Sequence, residues 1–214
     1  MMQSLGGQTS DAFPFSSELY FTALTFLLPA SVMVMSLGNF MIGEEGQAVW
    51  RIYASPISAR GLVKSKYFFI VLFASIVLTI TGTLGSLVFH PSPLAIIVAS
   101  FEAVFLIFAL GIISLTNGIV GADFTETPRP RMIRQSKAIL NLIACALAGV
   151  AILAPFIPYF MSSTFSIIMP GLNIPFLNHY LATAVSAVIA VVLTVVFYRI
   201  AVKNARKLLT KAEM

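Results

Sequence analysis

Charge is what this sequence has least of. Only 10% of its 214 residues are Asp, Glu, Lys or Arg, while 58% are hydrophobic, and the mean hydropathy is +0.96. A water-soluble domain of this length cannot cover its surface with so few polar side chains, so that class is excluded. A single cysteine, Cys145, excludes an intrachain disulfide and reads as a small packing residue inside a span. The two histidines, His90 and His179, are far apart, with no HExxH, no cysteine pair and no carboxylate cluster beside them, so no metal centre is expected. Each reads as an interfacial residue. No serine lies in a G-x-S-x-G setting. Lys64-Ser65 does not close a Walker A loop, because Val63 stands where that motif needs glycine. Nothing in the chain suggests an enzyme or a cofactor of its own. Residues 1–18 contain no Lys or Arg, so the basic n-region of a cleavable signal peptide is missing and the first span is expected to stay.

What is present is a set of long apolar runs, near 19–41, 67–89, 95–120, 138–160 and 180–201. About 20 apolar residues suffice to cross a bilayer as helix. A chain in hydrocarbon must satisfy its own backbone hydrogen bonds, and these runs are too long and too unalternating for barrel strands. The fold class is therefore all-α, a polytopic membrane protein with five transmembrane helices. A flexible extracytoplasmic lead (1–18) precedes the membrane domain (19–201), and a basic tail (202–214) follows it, expected as a continuing helix on anionic lipid.

The positive charges report orientation. All 13 Lys and Arg fall in the 43–66 segment, the 129–137 segment, or the stretch from Arg199 to Lys211. With five spans these three places share one face of the membrane. The positive-inside rule then gives a multi-pass cell-membrane protein with its N-terminus outside and its C-terminus in the cytoplasm. The net charge of +5 belongs to that face and to anionic lipid, and no nucleic-acid partner is implied.

Within the spans, Pro29, Gly38, Gly82 and Pro155 read as tolerated kinks. Thr79, Thr81 and Thr83 can bond their own helix or a neighbour. His90, Pro91 and Pro93 mark a tight turn. Glu102 lies two to three helical turns below the outer edge, where an ionisable side chain is a functional candidate by default, the alternative being that it reaches water or a threonine at the interface. Ala144, Ala146, Ala148, Gly149 and Ala151 predict close packing of the fourth span, and Ala182, Ser186 and Ala190 predict a small-residue face on the fifth. Residues 164–176, too short to cross and broken by Pro170, Gly171 and Pro175, suggest an outer re-entrant hairpin.

The polar segment GEEGQAVWRIYASPISARGLVKSK, residues 43–66, is the sharpest feature. Glu44 and Glu45 suit a helix N-terminus, and Val49, Trp50, Ile52 and Tyr53 form an apolar face behind them. Ser55 and Pro56 read as N-cap and first-turn proline of a helix running on through Lys66. Two readings stand side by side: a loop anchored at the headgroups by Trp50 and Tyr53, or a docking element for a partner. The second polar segment, residues 121–137, carries Asp123 and Glu126 among four cations and suits lipid heads or a partner protein.

Glu44, Gly46 and Trp50, followed by Ser55-Pro56-Ile57-Ser58 and then Lys66 at a membrane helix, resemble the coupling loop of ABC-2 type exporter permeases, in their putative-exporter branch. The Gly121–Pro130 stretch is similar to a loop after the fourth span in that branch. The resemblance implies that the five spans correspond to the family's second to sixth. It also implies a short cytoplasmic helix docking into a separate ATPase subunit, which holds the ATP, and pairing with a second permease half. The docking residues it points to are Glu44, Glu45, Gly46, Trp50, Arg51, Tyr53 and Pro56. The family's amphipathic N-terminal helix and first span have no counterpart in the sequence, which fits a shortened or split permease, or the C-terminal part of a longer one. Two rival classes stay open: a non-transporting membrane scaffold, and an ion or solute carrier built on Glu102.

Overall fold

The computed structural model describes residues 17–43, 57–122, 135–156 and 179–210. These form α1 (Ser17–Phe40), α2 (Ala59–Phe89), α3 (Pro93–Gly121), α4 (Gln135–Leu153), which ends in a 3-10 turn at Ala154–Phe156, and α5 (His179–Thr210). All five are long and apolar enough to span a membrane. The protein is an all-α polytopic membrane protein.

Side-chain pairings fix the directions. Thr25 and Phe26, early in α1, sit against Gly85 and Gly82, late in α2. The Tyr67 hydroxyl near the start of α2 donates to the Phe108 carbonyl of α3 at 2.9 Å. Late in α1, Gly38 meets Ser114 of α3. The Asn117 amide of α3 donates to Asn141 of α4 at 3.1 Å, and Thr116 of α3 donates to the Phe197 carbonyl of α5 at 3.2 Å. Helices α1, α3 and α5 therefore run one way, and α2 and α4 the other. One end of the bundle gathers Phe40, Ala59, Gly121, Gln135 and Thr210. Every described Lys and Arg lies toward that end, called here the basic end.

Helix α3 is the axis of the assembly. Half of its spanning window is buried, against 17–28% for the other four. Ile107, Ile112, Ile113 and Leu115 of α3 pack with Val34 of α1, Ile70 of α2 and Ile152 of α4 in one core. The outward faces carry Leu28, Val32, Phe68, Leu84, Phe101, Leu147, Val150 and Val188, all more than half exposed. In water such a belt would drive aggregation; in lipid it is the surface that solvation demands.

The elements begin and end where capping chemistry places them. Helix α2 starts at Ala59, capped by Ser58, whose hydroxyl accepts from the Gly61 N–H at 3.1 Å. The expected helix from Pro56 through Lys66 is therefore corrected, because Ile57 and Ser58 are not helical. Arg60, Lys64 and Lys66 ride on the opening turns of a membrane helix. His90, at φ 46°, closes α2 with its N–H on the Ser86 carbonyl. Ser92 then caps α3, and Pro93 supplies its first residue, where a missing N–H costs nothing. Pro29 stays inside a continuous α1. Pro155 does not: α4 stops at Leu153, two residues before a residue with no backbone N–H to donate. The threonines bond their own helix: Thr79 to the Ser75 carbonyl at 2.8 Å, Thr81 to Val77 at 2.9 Å, and Thr83 to Thr79.

The small-residue face of α5 is buried as expected at Ala182, Ser186 and Ala190, and it continues through Ala201 and Ala205. The extension to Thr210 makes much of the tail a packed helix. For α4 the expectation holds at Ala148 and Ala144, which pack in and against the core, and is corrected at the others. Ala146 and Ala151 are exposed and Gly149 faces open space; the contacting stripe is Asn141, Cys145, Ala148 and Ile152. That stripe follows i, i+4, i+7 and i+11 spacing, and the polar Asn141 within it has a specific partner set.

Candidate functional site

Two buried polar clusters lie along α3. The first is built on Glu102, which is 3% exposed. It stands nine residues into α3, about 14 Å along the helix axis from Pro93, so it sits well below the His90 end. Its Oε2 accepts a hydrogen bond from the Ser186 hydroxyl of α5 at 2.8 Å. The same hydroxyl is hydrogen-bonded to the Ile152 carbonyl of α4. Pro155, lacking an N–H, cannot cap that carbonyl with a 3-10 bond, and Ser186 reaches it from the neighbouring helix. One carboxyl, one hydroxyl and one helix-end carbonyl thus join three helices inside the apolar core. The other carboxyl oxygen, Oε1, is buried with no hydrogen-bond partner. An interfacial Glu102 reaching water is excluded by this burial.

The second cluster lies toward the basic end. The Asn141 amide of α4 donates to the Ser114 hydroxyl of α3 at 3.0 Å and accepts from Asn117 at its Oδ1. Ser114 donates in turn to the Met35 carbonyl of α1 at 2.6 Å. The Cys145 thiol, 1% exposed, lies 3.5 Å from Asn141 Oδ1, a weak contact that leaves it a packing residue. Asn39 is buried beside this crossing, with its Oδ1 unpartnered. Such a network fixes which faces of α1, α3 and α4 meet, because any rotation would strand amides in hydrocarbon.

No family model, curated protein or solved structure matches the chain. The geometry therefore carries the functional reading by itself. It brings Glu102 together with Ser186, a residue the sequence marked only as a small packing position. It also reveals the Asn39, Ser114, Asn117 and Asn141 set, for which the readable signal was three asparagines inside otherwise apolar runs. Glu44, Glu45, Gly46, Trp50, Arg51, Tyr53 and Pro56 lie outside the described residues, as does the expected hairpin at 164–176. Among the described residues no group of His, Cys, Asp and Glu could hold a metal ion.

Proposed function

We propose that this chain is a permease subunit of an ATP-driven exporter in the cell membrane, its N-terminus outside and its basic end in the cytoplasm. The observation that carries this reading is the placement of connections. Segments 44–56 and 123–134 join helices at the basic end, and α5 ends there too. The Trp-bearing segment with the coupling-loop pattern runs directly into α2, the helix that pairs with α1 and α3. A push on it from an ATPase would be delivered to the centre of the bundle through Tyr67, whose hydroxyl is bonded to the α3 backbone. ATP binding and hydrolysis belong to that separate subunit. A second permease half completes the pathway.

The test is recovery of the partner. Deleting residues 44–55, or the charge reversal Arg51→Glu, is expected to reduce co-purified ATPase to background while leaving the chain in the membrane fraction. Undiminished recovery would favour a scaffold with no coupling role. Orientation is checked separately: a membrane-impermeant amine reagent applied to intact cells should leave Lys64 and Lys207 unlabelled.

A second reading, an ion or solute carrier, is favoured by one observation: a carboxyl buried about a third of the way along the central helix with one oxygen unpartnered. Intramembrane carboxyls of this kind often mark an ion path. Proton-coupled uptake into vesicles that is lost in Glu102→Gln would select it.

A further inference from the structure

A groove of about 600 Å³ runs between the opening turn of α2 and the last turns of α5, lined by Arg60 on one side and by Thr194, Val195, Tyr198, Arg199, Val202, Lys203 and Arg206 on the other. On α5, Arg199, Lys203 and Arg206 follow at i, i+4 and i+7, so they share one face, and Arg60 closes over them from α2. Among the described residues no carboxylate lines the groove. Among the described residues none of the four cations makes an ion pair. All four are exposed, and like charges around one cleft favour an anion between them.

The wall also changes character along its length. At the level of Thr194 and Val195 it is apolar and continuous with the lipid-facing valines Val191 and Val192; about 18 Å further along the axis, at Arg206, it is cationic. A soluble anion would use only the second half. A phospholipid uses both, its acyl chain against Val195 and Val202 and its phosphate among the guanidinium groups, with Tyr198 at the boundary where amphipathic rings settle.

We propose that this groove is a binding site for one phospholipid with an anionic headgroup, held as a structural lipid between α2 and α5. The site is distinct from a diffuse attraction of the basic end to the membrane, and it does not depend on the transport reading. Each cation near a charged membrane surface contributes about a fivefold preference.

The test uses the full chain in nanodiscs of zwitterionic lipid carrying a small fraction of anionic phospholipid, with retained lipid counted by native mass spectrometry after release. Wild type is expected to keep one anionic lipid. The pair Arg199→Gln and Arg206→Gln is expected to lower its affinity by roughly 25-fold. Lys64→Gln, in a separate groove against Phe108 of α3, is expected to leave it unchanged. Equal retention by wild type and the Arg pair, or an equal loss in Lys64→Gln, would overturn a built site in favour of general surface attraction. Inorganic phosphate displacing the lipid at millimolar concentration would overturn the lipid assignment and make this a soluble-anion site. Should the Arg pair fail to insert, wild type alone decides: it must melt higher in nanodiscs containing the anionic lipid than in purely zwitterionic ones, and no difference refutes the proposal.

Discussion

Gly118→Ala is expected to destabilise the bundle by about 3 kcal/mol, the upper part of the range for overpacking a tight core, whereas Gly149→Ala is expected to be neutral or mildly stabilising. The two glycines are equally intramembrane and equally helical. They differ in what a methyl group would meet. At Gly118 a Cβ would lie 2.6 Å from the Asn39 carbonyl oxygen and 2.7 Å from that of Gly38, both backbone atoms that cannot rotate aside. At Gly149 nothing lies within 4 Å, so alanine only restores the helix propensity that glycine lacks, about 0.5–1 kcal/mol. The close approach is reciprocal: a Cβ on Gly38 would fall 2.6 Å from Ser114 Cβ. Ser114 and Gly118 are four residues apart on α3, the small-xxx-small spacing that lets two membrane helices touch backbone to backbone. Without a hydrophobic force between helices in lipid, that van der Waals contact and the Ser114 to Met35 bond at 2.6 Å are what hold α1 on α3. Gly118→Leu should separate the two helices altogether. Unfolding in mixed micelles, followed by fluorescence of Trp50, measures the difference, and equal stabilities for Gly118→Ala and Gly149→Ala would refute the crossing.

This crossing shows where sequence reading succeeds and where it stops. The five spans are legible because hydrocarbon admits so few solutions: a long apolar run must be helix. Their ends shift wherever a cap or a proline outranks hydropathy, as Ser58 does for α2 and Pro155 does for α4. The faces are less legible. In water, amphipathic periodicity separates core from surface, but here Leu147 against lipid and Ile152 in the core are equally greasy, and only Asn141, Cys145 and Ala148 distinguish the contacting stripe of α4. Ala182, Ser186 and Ala190 were readable because small residues repeat at i+4 on a single face. Ala146, Gly149 and Ala151 misled because the small residues spread around the helix, and abundance of small residues is not a stripe. Glu102 announced itself as an acid in a span. Its partner did not, since nothing local in the sequence links residue 102 to residue 186.

The asparagines teach the same lesson from the polar side. Asn117 and Asn141 look like isolated imperfections in apolar runs until α3 and α4 are placed antiparallel, when they fall opposite one another with Ser114 and the Met35 carbonyl in reach. Asn39, near the end of α1, lies beside this group. The result is a bundle tied by amides toward its basic end, while the carboxyl of Glu102 ties α3, α4 and α5 toward the other end. The carboxyl tie, with fewer hydrogen bonds between helices, is the weaker of the two.

That weaker tie makes the last prediction. Ser186 has one hydroxyl hydrogen and two acceptors around it, the Ile152 carbonyl and Glu102 Oε2. With Glu102 ionised the cluster is one donor short, whereas a protonated Glu102 supplies that donor itself; Oε1 has no partner. Glu102→Gln always carries a donor there: its amide can donate to the Ser186 oxygen while Ser186 donates to Ile152. The substitution is therefore expected to be neutral or to stabilise the bundle by up to about 1 kcal/mol, the net worth of an ordinary hydrogen bond. Ser186→Ala should instead lose about 1–3 kcal/mol, because it leaves a buried carboxyl and a helix-end carbonyl without their shared partner. In the Glu102→Gln background the same alanine should cost less, giving a coupling energy between the two positions that a double-mutant cycle reads directly. The cycle also separates roles. A Glu102→Gln protein that is as stable as wild type yet loses uptake or export assigns the carboxyl to transport, and one that keeps full activity assigns it to holding α3, α4 and α5 together. If Glu102→Gln destabilised the bundle more than Ser186→Ala, the carboxyl would have to be bonded to groups other than Ser186, and the three-helix tie described here would be wrong.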